Sequence, residues 1–240
     1  MEAYTIESAG ISLESLMRFY TEDERETLPI PDYQSLRAAL DAYSLLTVTD
    51  DDGGGVVAAA GYFEYARSSD TCMIYELAGT RVKNTIGRLK GISLQQILIA
   101  LRVLQVAATE AGPLSLISSA RNPRSIGNLS VLGLQEIAPL PTWFEYDTCS
   151  WTRMTERPQW KHFVATRLTI DRAISVLDSV GFAAGEFICA ASRQLPDKSI
   201  VERSIKLIFK LNLRWLFSDI RAGHRRGAFK SLFVDLPSSL

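Results

Sequence analysis

The stretch that decides the fold is Arg88-Leu89-Lys90-Gly91-Ile92-Ser93-Leu94, which joins a strand pattern to a long helix pattern. The strand pattern is Thr71–Val82 and the helix pattern is Ile92–Ala111. The first turn of a helix presents unpaired backbone N–H groups and a partial positive charge, so it can hold a phosphate group. The glycine lets a phosphate approach the backbone closely, and the two basic residues add charge. The stretch therefore predicts an anion-binding loop, with an ordinary basic loop before a helix as the alternative.

Strand and helix patterns extend on both sides of this stretch. Those before it are a strand at Ala3–Ile6, helices around Leu13–Tyr20 and Tyr33–Ala42, and strands at Ser44–Thr49 and Val56–Ala66. The turn cluster Asp50–Gly55 predicts a hairpin between the last two strands. Those after it are a strand at Leu114–Ala120, a short helix from Pro123 that Gly133 closes, and a last strand at Phe144–Met154. Because Thr71–Val82, the crossing helix and Leu114–Ala120 form a β-α-β unit, we predict an α/β fold with a mixed, mostly antiparallel sheet flanked by helices.

The composition is that of a globular protein and excludes several other classes. Of 240 residues, 47% are hydrophobic and 22% are charged, and no apolar run is long enough to cross a bilayer. The first residues carry neither a basic nor an apolar segment typical of a secretory signal, so we expect a cytoplasmic protein. The three cysteines, Cys72, Cys149 and Cys189, are widely spaced, and the chain has only two histidines. We therefore expect neither a disulfide framework nor a metal site.

Charge is distributed unevenly along the chain. Residues 1–154 hold 12 Lys and Arg against 19 Asp and Glu, whereas residues 155–240 hold 14 against 8. We predict a body at 1–156 and a basic, mainly helical extension at 157–240, with helices at Ile170–Val180 and Ser199–Ile220. The acidic body suits a cationic substrate. The basic run Arg221–Lys230 could contact nucleic acid or a membrane, but an amphipathic extension more often packs on its own domain.

A second segment, Asn122-Pro123-Arg124-Ser125, follows the strand Leu114–Ala120 and is itself followed by Leu132-Gly133-Leu134. Together with the first stretch it resembles the GNAT superfamily of N-acyltransferases. Residues 88–93 are similar to the pyrophosphate signature of that family, Gln/Arg-x-x-Gly-x-Gly/Ala. The second segment is similar to its Asn-x-x-Ala/Ser, with Leu-Gly-Phe following at a fixed distance. The resemblance covers residues 3–154 and leaves the extension unexplained.

The resemblance implies an enzyme that transfers an acyl group, acetyl in the usual case, from acyl-coenzyme A to a primary amine. The acceptor would be a small molecule or a protein, and pairing of exposed strand edges would allow a homodimer. The residues implied in coenzyme A binding are Val82, Arg88, Leu89, Lys90, Gly91, Ile92, Ser93, Asn122 and Ser125. The backbone N–H near Val82 is implied as the donor to the oxyanion. Asn122 has an alternative role as the N-cap of the helix that starts at Pro123.

Glu76 is the candidate general base, because GNAT enzymes often place a catalytic glutamate on this strand. Strand alternation puts it on the face shared with Cys72, Ile74 and Ala78, an apolar setting that favours the protonated form of a carboxyl group. The alternative is a structural carboxylate paired with Arg81 or with another neighbour. Leu129 stands where many members of the family carry a tyrosine that protonates the departing thiolate. A catalytically degenerate acyl-coenzyme A-binding or scaffold protein is therefore the second hypothesis.

Overall fold

The computed structural model describes residues 4–7, 11–22, 33–41, 44–50, 55–68, 72–83, 88–89, 91–109, 114–138 and 160–180. Its strands are β1 (Tyr4–Glu7), β2 (Leu45–Asp50), β3 (Val56–Ser68), β4 (Cys72–Val82), β5 (Arg88–Leu89), β6 (Ile92–Ser93), β7 (Leu114–Ala120), β8 (Gln135–Glu136) and β9 (Lys161–Val164). Its helices are α1 (Leu13–Thr21), α2 (Tyr33–Asp41), α3 (Leu94–Thr109), α4 (Pro123–Val131) and α5 (Arg167–Val180).

One mixed sheet of seven strands, in the order β1-β2-β3-β4-β7-β9-β8, organises the protein. The pairing is antiparallel except between β4 and β7, which run parallel and are joined through α3. This arrangement confirms the predicted mixed, mostly antiparallel sheet. It also places the carboxyl ends of β4 and β7 at the same edge, where α3 and α4 begin.

Both faces of the sheet are covered. On one face Tyr75 and Leu77 of β4 join the large core formed with α3 and α5. The helix α3 is apolar around most of its circumference because it lies between the sheet and its neighbouring helices. On the opposite face α1 and α2 pack over a second cluster that includes Leu45 and Ala59. The buried residues Ile74 and Glu76 alternate with Tyr75 and Leu77, so their side chains belong to this second face.

A bulge interrupts the pairing of β3 with β4. Ala59 pairs with Arg81 and Gly61 pairs with Ala78, so two residues of β4, Gly79 and Thr80, stand opposite a single residue of β3. Gly79 has φ of 62°, a conformation that glycine adopts without steric cost. The bulge therefore bends β4 immediately after the segment that pairs with β7.

Arg102 of α3 occupies the space at this bulge. Its Nη1 donates to the carbonyl oxygens of Gly61 at 2.5 Å and Ala78 at 3.2 Å, and its Nη2 donates to Thr80 Oγ1 at 2.7 Å. The residue is only 1% exposed, and burial lowers the pKa of its guanidinium to about 9. A buried cation thus holds both strands at the bulge through backbone and hydroxyl acceptors.

The predicted elements correspond closely to those observed, with one clear difference beyond residue 156. Residues Lys161–Val164 form a strand between β7 and β8, although the pattern from residue 161 onward predicts mainly helix. The helix expected at Ile170–Val180 is observed as α5 and packs beside α3. Residues 161–180 therefore belong to the same body as the rest of the sheet. The predicted strand Phe144–Met154, the helix Ser199–Ile220, the basic run Arg221–Lys230 and most of the Asp50–Gly55 turn lie outside the described residues.

Among the helices that the structure describes, none combines the length and the apolar character that a membrane span needs.

Candidate active site

The sheet opens between β4 and β7 at their carboxyl ends. The two strands pair from Met73 and Leu114 as far as Leu77 and Ser118. Beyond that point β4 continues beside β3, and β7 continues beside β9 as far as Ala120. Two parallel strands that stop pairing while each keeps its outer neighbour leave a cleft between them. Clefts outside the carboxyl ends of parallel strands are common ligand sites.

The backbone of Val82 presents an N–H group to this opening. Lys83 N donates to the carbonyl of Val57 in β3 at 2.9 Å. Successive N–H groups of a strand point to opposite edges, so the N–H of Val82 points away from β3 and towards the β7 side. The amide predicted to hydrogen-bond an oxyanion therefore has a suitable direction.

Glu76 lies one residue before the end of the β4–β7 pairing, opposite Ile117. Its side chain is only 3% exposed, and its neighbours on the same face include the fully buried Ile74. Arg81, one of the partners that a structural role would use, donates to the carbonyl of Tyr20 and lies over the Phe19 ring with Cζ 5.5 Å from the centroid. A carboxyl group buried at the side of a cleft is suited to proton transfer.

The predicted phosphate loop forms a small hairpin that leads directly into α3. Arg88 pairs with Ser93 and Leu89 pairs with Ile92, so the turn between them includes Gly91. Gly91 has φ of 83°, and a Cβ built on it would meet nothing within 4 Å. The turn therefore needs glycine for its backbone conformation and has open space at the position of the missing side chain. The side chains of residues 88–90 lie outside the description.

Ser93 is the N-cap of α3. Its Oγ accepts from Gln96 N at 3.2 Å, and Ser93 N donates to Gln96 Oε1 at 2.9 Å. This reciprocal pair is a capping box, which fixes the start of the helix at Leu94. The cap satisfies one N–H group of the first turn, and the helix dipole still favours an anion there.

Asn122 is the N-cap of α4. Its Oδ1 accepts from Ser125 N at 2.7 Å, and Pro123 occupies the first turn. The structure thus shows the capping role that the sequence offered as one of two alternatives. The other role, contact with the pantetheine arm of coenzyme A, stays a prediction.

A single residue joins the two predicted motifs. Gln95, in the first turn of α3, donates through Nε2 to Ser125 Oγ at 2.9 Å and accepts at Oε1 from Asn128 Nδ2 at 2.6 Å. The N-termini of α3 and α4 therefore lie side by side at the open edge of the sheet. Sequence reasoning placed both motifs but missed Gln95, because nothing in the local pattern distinguishes it from its neighbour Gln96.

Sequence reasoning also missed a pair of polar side chains next to the opening. Ser119 Oγ lies 2.8 Å from His162 Nδ1, and the two residues are cross-strand partners on β7 and β9. Ser119 immediately follows the last residue of β7 that pairs with β4. No sequence pattern indicated this pair, because no strand was predicted at Lys161–Val164.

Leu129 is part of the main core, with 3% of its surface exposed. An aliphatic side chain carries no proton to donate, and this one is held among other apolar residues. The structure thus gives Leu129 a packing role.

No protein-family model matches the sequence, and the search of curated proteins gives no significant match. Among solved structures, mosquito arylalkylamine N-acetyltransferase like 5b is similar over 68% of this chain and 99% of its own, with 12% identity and a TM-score of 0.45. Naa50 of Arabidopsis thaliana is similar over 68% of this chain and 97% of its own, with 12% identity and a TM-score of 0.47. The ribosomal-protein-S5-alanine acetyltransferase of Vibrio fischeri is similar over 68% of this chain and 92% of its own, with 12% identity and a TM-score of 0.44.

The fold itself follows from the strand order. The sheet starts with four antiparallel strands, and its fourth strand opens against a parallel fifth. The β5–β6 hairpin and the capped helix α3 follow β4, and the Asn122 cap of α4 follows β7. The described body of this chain therefore has the mixed-sheet architecture expected of the GNAT superfamily, which its sequence resembles.

Proposed function

We propose that this protein is an N-acyltransferase that moves an acyl group, acetyl in the simplest case, from acyl-coenzyme A to a primary amine. The observation that carries the proposal is the position of Glu76, buried beside the opening between β4 and β7. The same opening receives the N–H of Val82, and its edge carries the N-termini of α3 and α4. A base, an oxyanion donor and an anion-binding edge are the groups that thioester aminolysis requires.

The open edge fits the pyrophosphate of coenzyme A. The positive φ of Gly91 and the free space around it leave the turn accessible to a bulky anion. The capped start of α3 supplies the positive end of a helix dipole, and the sequence just before it adds two basic residues, Arg88 and Lys90. Asn122 and Ser125 would lie beside the pantetheine arm, since Gln95 joins them to the start of α3.

Glu76 would remove a proton from the ammonium group of the acceptor. The resulting amine attacks the thioester carbonyl, and the N–H of Val82 would hydrogen-bond the oxygen as negative charge develops on it. Fixing both reactants in the cleft replaces a bimolecular encounter with an intramolecular one. The acidic body, with 12 basic and 19 acidic residues in residues 1–154, favours a cationic acceptor, either a small amine or a protein amino group.

Thermal unfolding with acetyl-coenzyme A, coenzyme A and a control nucleotide tests the binding step. A ligand at a hundredfold excess over its Kd stabilises the native state by about 2.7 kcal/mol, so the midpoint should rise with the coenzyme A ligands and not with the nucleotide. The absence of any rise would refute the cofactor assignment.

Release of free thiol in the presence of a panel of amines tests the reaction. We expect Glu76→Gln to lower kcat by roughly 10²-fold or more while leaving coenzyme A binding intact, which is the usual scale for loss of a general base. Glu136→Gln is the matched control, because Glu136 is exposed and forms an ion pair with Lys161 at 2.8 Å. Equal activity of the two variants would remove Glu76 from the mechanism.

A second function is favoured by one observation. Leu129 is buried in the core and cannot protonate a thiolate, so a protein that binds acyl-coenzyme A without turnover also fits the fold. In that case the melting midpoint rises with acetyl-coenzyme A, but no amine in the panel releases thiol. The two functions are therefore distinguished by the same pair of measurements.

A further inference from the structure

Aminolysis of a thioester needs two proton transfers at different atoms. One proton leaves the ammonium nitrogen before attack, and another is needed on sulfur when the carbon–sulfur bond breaks. Glu76 can accept the first. The second requires a donor on the sulfur side of the cleft, and Leu129 cannot supply it. A donor to the sulfur would therefore be a titratable group at the mouth of the opening that the proposed mechanism does not already use.

The Ser119–His162 pair meets this requirement. Ser119 is one residue beyond the last β4–β7 pair, so it borders the opening, and it is partly exposed. His162 is 3% exposed, and its Nδ1 lies 2.8 Å from the Ser119 hydroxyl oxygen. A histidine is the side chain that both takes up and releases protons near neutral pH.

The pair lies on the same face of the sheet as Glu76. Ser118 and Phe163 are cross-strand partners, and Phe163 belongs to the core with α3, so Ser118 faces α3. Strand alternation then directs Ser119 and His162 to the other face. Glu76 pairs with Ile117, two residues before Ser119, which makes Glu76 and Ser119 diagonal neighbours. Two residues along a strand and one strand across correspond to roughly 8 Å between Cα atoms. The two strands stop pairing at Ser118, so a reacting thioester has room between the two side chains.

We propose that the Ser119 hydroxyl, hydrogen-bonded to His162, delivers the proton to the departing thiolate. This inference rests on the proposed acyltransferase function. As the carbon–sulfur bond breaks, sulfur takes the electron pair and the proton of Ser119 Oγ–H. Ser119 recovers a proton from the imidazolium at Nδ1. Once the thiol has left, the neutral imidazole regains its proton from solvent through the partly exposed Ser119 hydroxyl. The free thiol and the amide are the products, and the second proton of the original ammonium is released when the amide forms.

Two of the charged groups near His162, Lys161 and Arg121, make contacts with other residues. Lys161, the preceding residue of β9, forms an ion pair with the exposed Glu136 of β8 at 2.8 Å. Arg121, which follows β7, lies over the ring of Trp160 with Cζ 5.8 Å from the centroid. Glu76 is a carboxyl group on the same face, but it lies on β4, two strands away from β9. The expected effects on His162 below are therefore measured as differences between ligands, so that these constant surroundings cancel.

The first test compares three variants with acetyl-coenzyme A. Ser119→Ala and His162→Asn should each lower kcat at least tenfold with little change in KM, because the lost contact is made only as the thiolate departs. Ser118→Ala is the matched control: its hydroxyl donates to the Leu77 carbonyl at 3.2 Å on the opposite face, and kcat should remain within twofold of wild type. Ser119→Ala turning over as fast as Ser118→Ala would overturn the inference, while a slow Glu76→Gln in the same assay would leave the proposed function standing.

The second test needs no turnover. The chain has two histidines, so the His224→Gln variant leaves His162 as the single imidazole observed by NMR. Its titration is followed with coenzyme A and with desulfo-coenzyme A, which lacks the sulfur atom. A midpoint that differs between the two ligands places the thiol beside the pair, and equal midpoints with both ligands bound contradict the inference. If neither ligand changes the spectrum or the melting temperature, coenzyme A binding fails, and the proposed function fails with it.

Discussion

Asn128 Nδ2 donates to Gln95 Oε1 at 2.6 Å, and this bond fixes α4 against the first turn of α3. Replacing Gln95 with alanine removes it together with the bond to Ser125 and leaves the buried Asn128 amide without that acceptor. We expect the free energy of unfolding to fall by about 1–3 kcal/mol, the usual cost of an unsatisfied buried polar group. Urea unfolding measures the loss, with Gln135→Ala of the exposed strand β8 as the control. An equal loss in both variants would contradict the joining role of Gln95.

Gly91 and Gly127 should respond to alanine in opposite directions. Gly91 has φ of 83°, so Gly91→Ala introduces strain, and we expect it to lower the unfolding free energy by roughly 1–2 kcal/mol. Gly127 lies within α4 with nothing within 4 Å of a built Cβ, so Gly127→Ala should raise stability by about 0.5–1 kcal/mol. If the hairpin turn holds the pyrophosphate, Gly91→Ala also weakens coenzyme A binding, and Gly127→Ala does not. Calorimetric titration with coenzyme A checks the second difference.

Tyr20 should make the protein sensitive to alkali. Its hydroxyl donates to the Gly79 carbonyl at 2.5 Å, and burial raises the pKa of this phenol well above its usual value of 10.0. A raised folded-state pKa means that the unfolded chain loses its proton first as pH rises, so this stabilisation is present below pH 10 and declines above it. The difference in unfolding free energy between wild type and Tyr20→Phe should therefore shrink above about pH 10.

The control for this alkaline loss is Tyr33→Phe. Tyr33 is 53% exposed on α2, so Tyr33→Phe removes a tyrosine hydroxyl from the surface and serves as the reference for Tyr20→Phe. Stability curves from denaturant titrations across the alkaline range provide the comparison. The assignment to Tyr20 is refuted if Tyr20→Phe retains the full alkaline loss.

Arg102, unlike Tyr20, should make the protein more stable as the pH rises. Burial lowers the pKa of its guanidinium from 12.5 to about 9, with the nearby Tyr20 partly offsetting the effect. Above that value the native state sheds the proton while the unfolded chain keeps it, so stability rises with pH by up to about 1.4 kcal/mol per unit. Relative to Arg102→Met, wild type should thus become more stable between roughly pH 9 and pH 10, before Tyr20 contributes. A constant difference between the two proteins over this interval would argue against a depressed pKa for Arg102.

The sequence predicted the elements whose periodicity extends over many residues. The predicted limits lie within two residues of the observed limits for three elements: the strand ending at Val82, the helix that contains Leu101 and the strand Leu114–Ala120. The β-α-β unit followed from them, and with it the mixed sheet and the position of the candidate loops. The burial of Glu76 also followed, since alternation along β4 needs no knowledge of tertiary contacts.

The remaining features depend on contacts between distant parts of the chain. Lys161–Val164 is too short for a periodic signal, and both His162 and Phe163 are buried because the strand lies inside a sheet covered on both faces. Arg102 looks like a residue for the solvent side of a helix, and only the bulge of β4 provides its acceptors. The Ser119–His162 pair joins residues 43 positions apart. No local pattern contains such information.

The strand order β7-β9-β8 has a consequence for synthesis on the ribosome. Because β9 lies between β7 and β8, the earlier segment Gln135–Glu136 has no place in the sheet until Lys161–Val164 has left the exit tunnel. The growing chain must keep the free edge of β7 exposed through all the intervening translation. Closure of the sheet, and with it completion of the Ser119–His162 side of the cleft, is therefore a late event that awaits residues well beyond both predicted loop motifs.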